Sequence, residues 1–222
     1  MVLYHYYSFP AWLARRWWWT STSGHATVSE DEVRMTSLKA YTPRLARMLG
    51  TSQAALYERQ RALVRAGLLD QSEGRGPGSG VRATASSVAW LLIAVMATSN
   101  LSDVEARARD IAAVRPNKEV RGETRARSFH EAITGVLASR TLTLLRPVAK
   151  LTVSHSTPYA EIHYAGGQKL TFASVPSRNL EPVPPLRILA EIDGEILRQI
   201  ADDLTEMSDK AVKRVSSKKK TG

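Results

Sequence analysis

Apolar residues recur at helical spacing from the forties to about residue 145, then at every second position between 151 and 172; no other feature constrains the fold as strongly. A helix returns to the same face every three to four residues and a strand every two. The chain is therefore expected to be α+β and mainly helical, with its strands gathered late rather than alternating with helices. Its 222 residues, 43% of them hydrophobic, suffice for a real core in one domain or two small ones.

Thr42 is a candidate cap and Pro43 suits a first turn, so a helix is expected from there, with Leu45, Ala46 and Leu49 facing inward and Gly50 ending it. Ser52 then caps a second helix from Gln53 to about Ala66, whose Leu56 and Leu63 share a face, and Gly67 stops it. Leu68 and Leu69 are expected to open a strand, with Val81 to Thr84 returning beyond the glycine-rich turn at 73–80. The run Val88–Ala97 is half the ~20 residues that span a bilayer, which marks 86–97 as a buried helix. Ser102 with Glu105 forms a capping box for a helix to about Val114, and Arg115-Pro116-Asn117 breaks it. Phe129, Ile133, Val136 and Leu137 predict one amphipathic helix over 122–145, with Arg125, Arg127 and Arg140 outside and Pro147 closing it.

Leu151 and Val153, Ala160 and Ile162, and Leu170 and Phe172 predict a small antiparallel three-stranded meander. Parity supports Val153 opposite Ile162 and Ile162 opposite Phe172, because cross-strand partners share a face. A proline-rich connector leads to Leu189, Ile192, Ile196, Ile200, Leu204 and Met207, which fit a terminal helix; Asp193-Gly194 divides the stretch into a strand and a shorter helix in the alternative. Beyond Ser208 a lysine-rich tail is expected to be disordered.

Lys and Arg outnumber Asp and Glu by 31 to 21, so a polyanion is the natural partner. The absence of cysteine excludes disulfides, thiolate metal sites and cysteine nucleophiles. The five histidines show no metal-ligand spacing, His155 and His163 fall on opposite strand faces, and His130 reads as a surface residue. Asp202-Asp203 reads as a solvated helix face, since neighbouring helical residues diverge. No nucleophile elbow or triad signature is present, so neither enzyme activity nor a cofactor is expected. Eight of the fifteen aromatics precede residue 20. Residues 1–34 are either an aromatic anchor or, the expected reading, a poorly ordered leader or an upstream extension of the reading frame with Met35 as the start normally used, and membrane contact is not expected. Nothing resembles a secretory signal, and a cytoplasmic location, on the nucleoid when DNA-bound, follows by default.

Ala46, Gly50 and Leu56 supply the small residue, the turn glycine and the seating aliphatic that two helices crossing through a tight turn require. The segment LARMLGTSQAALYERQRALVRAGLL, followed by GRGPGSGVRAT, resembles the winged helix-turn-helix superfamily of bacterial regulators over residues 42–84. Thr51 and Arg59 depart from it, standing where apolar residues are common. The resemblance implies that helix 53–66 enters the major groove, with Ser52, Gln53, Ala54, Tyr57, Glu58 and Arg61 near base edges or phosphates. It implies phosphate contacts for Arg44, Arg47 and Arg65, and wing contacts for Arg75 and Arg82. The glycine loop lacks the Lys-Ser/Thr of a phosphate-binding P-loop.

The organisation expected is a leader (1–34), a winged helix-turn-helix (35–84), a helical dimerisation region (85–146), a small α/β domain (147–207) and a basic tail (208–222). Double-stranded DNA is the expected partner and a homodimer the expected state, with an unknown small-molecule or protein effector possible. A transcriptional regulator is the leading reading. A DNA-binding component of mobile-element machinery (initiator, recombination accessory or packaging subunit) is the alternative, and a membrane-associated interaction protein a third class.

Overall fold

A computed structural model describes residues 36–70, 80–117, 125–139, 146–174 and 188–218, with side chains in the last helix described to residue 211. The chain divides into units at 1–32 and 33–222, and every described residue belongs to the second. The expected leader, the loop tip with Arg75, Arg140, the proline-rich connector and the last four residues lie outside the described residues.

The core is organised around one helix. Leu38–Met48 (α1) and Gln53–Arg65 (α2) precede Ala85–Ala97 (α3), and Val104–Ala113 (α4) and Phe129–Ala138 (α5) follow. Because α3 is apolar on nearly every side, most of it must be buried, and only Ala85, Ser86, Trp90 and Val95 stay partly exposed. Val88, Leu91, Leu92 and Ile93 are fully buried, and α2, α4 and α5 pack against it. Its start is fixed by a capping box: Thr84 Oγ1 accepts from Ser87 N at 3.1 Å while Ser87 Oγ accepts from Thr84 N at 2.9 Å. Of the expected dimerisation region, α3 is thus occupied within the protomer.

Three helical expectations are corrected. Ser102 does not cap α4; a 3-10 turn at Leu101–Asp103 precedes it, and the Asn100 side chain accepts from Ser102 N at 3.2 Å. The helix predicted over 122–145 is not one continuous helix: among the described residues it is α5, because Ser128 accepts from Glu131 N at 3.2 Å and starts it there, while Ser139 is extended and ends it. Arg125 and Arg127 therefore precede the helix instead of lying along it. The tail expected to be disordered continues as Gly194–Lys218 (α6), with Ala211 buried and Lys210 paired to Glu206 one turn back.

The sheet has five antiparallel strands: Arg115–Pro116 (β1), Val148–Ser154 (β2), Tyr159–Tyr164 (β3), Lys169–Ala173 (β4) and Leu189–Asp193 (β5), in the order β1-β4-β3-β2-β5. The predicted meander is its centre, in a register two residues from the expected one: Leu151 faces Ile162, and Ile162 faces Leu170. A slip of two keeps every side chain on its predicted face, so Leu151, Val153, Ala160, Ile162, Leu170 and Phe172 are all buried. Phe172 meets Phe129 of α5 with ring centroids 5.3 Å apart. The polar break at Arg115-Pro116 is in fact an edge strand, and Asp193-Gly194 divides β5 from α6. Glycine is required at that corner, where a Cβ on Gly194 would strike the Val148 carbonyl.

Among the described residues no helix is long and apolar enough to cross a membrane.

Candidate nucleic-acid interface

α1 begins one turn earlier than expected. Ser37, not Thr42, is the cap, its side chain accepting from Ala40 N at 3.2 Å, so that Leu38, Tyr41 and Leu45 form a continuous buried face. Thr42 is buried and donates to Leu38 O at 2.8 Å, and Pro43 lies inside the helix on its exposed side. Gly50, at φ +62°, ends the helix as predicted: Gly50 N donates to Arg47 O at 3.4 Å and Thr51 N to Ala46 O at 3.0 Å. Ser52 then caps α2 by accepting from Ala55 N at 3.1 Å. The same closure recurs after α2, where Gly67 has φ +67° and Leu68 N donates to Leu63 O at 3.0 Å. Leu68 thus finishes a helix where the sequence suggested that it opened a strand.

The turn presses the two helices together through Ala46 and the fully buried Leu45, Leu56 and Leu63. That leaves the opposite side of α2 open. Gln53, Ala54, Tyr57, Arg61 and Arg65 are all exposed, and Glu58 is half-exposed and paired with Arg61 at 3.2 Å. Arg47 is exposed on α1, and neither it nor Arg65 has an acidic partner among the described residues. A further cation, which sequence reasoning missed, completes this surface: Lys39 of α1 places Nζ 5.6 Å from the centre of the Tyr57 ring.

Beyond the glycine-rich loop the chain returns beside the start of α1. Leu38 N donates to Val81 O at 2.8 Å and Ala83 N to Thr36 O at 2.9 Å, an antiparallel bridge that sets Arg82 opposite Ser37. Arg82 is half-buried at this stem, and its carbonyl accepts from Ser87 Oγ at 2.6 Å. The stem is thus tied to the start of α1, the helix that packs on α2.

Three charged residues have partners the sequence did not reveal. Arg44, expected on a phosphate, forms an ion pair with Asp203 of α6. Asp203, expected on a solvated face, is buried and also accepts from the Tyr41 hydroxyl at 3.2 Å. Arg59 is buried on the inner side of α2, three residues after Leu56 and four before Leu63, a spacing that signals its direction. Its guanidinium donates to Thr98 O at 3.3 Å and Ser99 O at 3.5 Å just past the C-terminal end of α3, where a cation also meets the helix dipole. Burial lowers its pKa from the ordinary value.

Among the described residues no cluster of histidines and carboxylates suits a metal ion. His130 is half-buried rather than on the surface: it stacks on Trp90 at 4.6 Å and lies 3.2 Å from Ser86 O, and burial lowers its pKa. His163 bonds Glu161 at 2.7 Å in the middle of the sheet, whereas His155 follows the end of β2. Burial would raise the Glu161 pKa, but hydrogen bonds from Tyr159, Lys169 and His163 bring it below the ordinary carboxylate value.

No protein-family model matches the chain, and neither a curated protein nor a solved structure matches it.

Proposed function

We propose that this protein is a sequence-specific, double-stranded DNA-binding transcriptional regulator in which residues 35–84 act as a winged helix-turn-helix. The observation that carries the reading is the division of α2: Leu56, Arg59, Ala62 and Leu63 are buried, while Gln53, Ala54, Tyr57 and Arg61 form an uncovered face at its N-terminal end. A helix seated on its own domain by one side and uncovered on the other is what the major groove admits. Lys39, Arg47 and Arg65 flank that face for phosphate contacts, and Arg82 lies on the stem of the expected wing. Arg44 reaches a phosphate only by leaving Asp203, so it is a weaker candidate than the sequence implies. A single reader of this size covers a short half-site, which favours a homodimer on DNA.

Genome-wide footprinting of the tagged protein tests the reading. Occupancy should concentrate at a limited set of related sites near promoters and vanish in Arg61→Ala. Occupancy that is uniform, or unchanged in the variant, would remove the assignment.

A further inference from the structure

We infer that the cleft between the end of α4 and the start of α5 is a binding site for a small phosphorylated anion, independent of the surface proposed for DNA. The cleft has a volume of about 650 Å³ and is lined by Arg115, Arg125 and Arg127 together with Ser128 and small apolar residues that include Pro116 and Ala126. Among the described residues no acidic residue lines it. Its size falls in the range of small-molecule sites, and a concavity suits a compact ligand better than the convex backbone of a duplex.

The fold brings these residues together from two stretches of chain. Arg115 is held on edge strand β1 by pairing with Ala173 of β4. Phe129 N donates to Val114 O at 2.9 Å, which returns the segment ahead of α5 to the base of that strand. Exposure alternates along this segment: Arg125 and Arg127 are exposed while Ala126 is half-buried against the core. Arg125 and Arg127 both line the cleft. The Ser128 hydroxyl caps α5 by accepting from Glu131 N, and its own hydrogen stays available to a ligand oxygen.

None of the three guanidinium groups forms an ion pair among the described residues, although elsewhere those of Arg44, Arg61, Arg109 and Arg198 are all paired; the one carboxylate at this end of α5, Glu131, accepts from the Arg127 backbone N at 2.7 Å. Three unpaired like charges around one hollow repel each other, and a concave site of one sign concentrates counter-ions. Guanidinium groups bind phosphoryl oxygens in a two-pronged geometry that a monovalent halide cannot satisfy. A ligand with two or more phosphoryl charges matches this set, whether free pyrophosphate or the phosphate chain of a nucleotide.

Calorimetric titration of the full chain with inorganic pyrophosphate, and separately with a nucleoside triphosphate, tests the site at fixed ionic strength. Binding of either probe is expected, weakened at least about tenfold in Arg125→Gln/Arg127→Gln. Equal affinities would show that the phosphoryl groups suffice; tighter nucleotide binding would make the nucleotide the source. The control Arg107→Gln/Lys210→Gln, which removes the same charge elsewhere, should bind as the wild type does. Because the cleft arginines are exposed and unpaired, the variant's melting temperature without ligand should match the wild type, and only the wild type and control should be stabilised by pyrophosphate. Failure of both probes to bind, equal weakening in the control, or weakened duplex binding by the cleft variant without ligand would overturn the inference. Arg61→Ala should keep pyrophosphate binding, so loss of the DNA reading and loss of this site are separate results.

Discussion

The Tyr41 hydroxyl donates to Asp203 Oδ2 at 3.2 Å across 162 positions of sequence, joining the first described helix to the last. Arg44, one turn on from Tyr41, bonds the other oxygen of the same carboxylate. Burial first, then the Asp203 charge and hydrogen bond, raise the Tyr41 pKa well above its ordinary 10.0. Tyr41 thus stays neutral in the folded chain at pH values where an unfolded tyrosine ionises. Its contribution is fully present below pH 10.0 and lost as the pH rises beyond it.

Asp203→Ala should destabilise the chain by about 2 kcal/mol, chiefly by leaving the Tyr41 hydroxyl buried without a partner, since the exposed Arg44 adds little. Urea unfolding at neutral pH measures this. Tyr41→Phe should flatten the loss of stability above pH 10.0, and an unchanged alkaline limb would show that Tyr41 ionises without strain.

Arg59→Met keeps much of the side-chain volume but removes the donors to Thr98 O and Ser99 O. A loss of about 2–3 kcal/mol is expected, because those carbonyls at the end of α3 are left without their charged partner. Amide exchange should quicken around residues 96–99 while α2 keeps its helical content. A variant as stable as the wild type would mean that the inner side of α2 seats as well on an apolar residue.

Gly194→Ala should cost about 3 kcal/mol, as overpacking against a backbone carbonyl does. The methyl group has nowhere to go at the β5–α6 corner, where the Val148 carbonyl occupies its place. Thermal melting followed by circular dichroism checks this, and an unaltered melting temperature would show that the corner opens freely.

The two-helix unit was legible in advance because its signals are local: Gly50 and Gly67 each close a helix at positive φ, and Ser52 caps the next. The sheet faces were equally legible, because period-two burial depends only on parity. The register was not, since the pairing is set by the turns: Ser154 Oγ accepts from Thr157 N at 3.3 Å in one, and Tyr164 N donates to Gln168 O at 2.9 Å in the other. Strand β1 is two residues long and has no periodicity to detect; it exists because β4 is beside it. The partners of Arg44, Asp203 and Arg59 are distant in sequence; Arg44 and Asp203 by themselves resemble ordinary surface charges, whereas the spacing of Arg59 from Leu56 and Leu63 marked its direction but not its partners. Ser128 followed by Glu131 was a visible signal for the start of α5 that the apolar spacing across 122–145 concealed.

Fluorescence anisotropy of the full chain on a footprinted site and on unrelated duplex of equal length tests most directly whether the open face of α2 reads sequence. Gln53→Ala/Arg61→Ala should reduce the ratio of the two affinities by about tenfold or more with little change in salt dependence, whereas Arg47→Gln/Arg65→Gln should weaken both duplexes together and flatten the salt slope. An unaltered affinity ratio in the Gln53→Ala/Arg61→Ala protein would contradict the account.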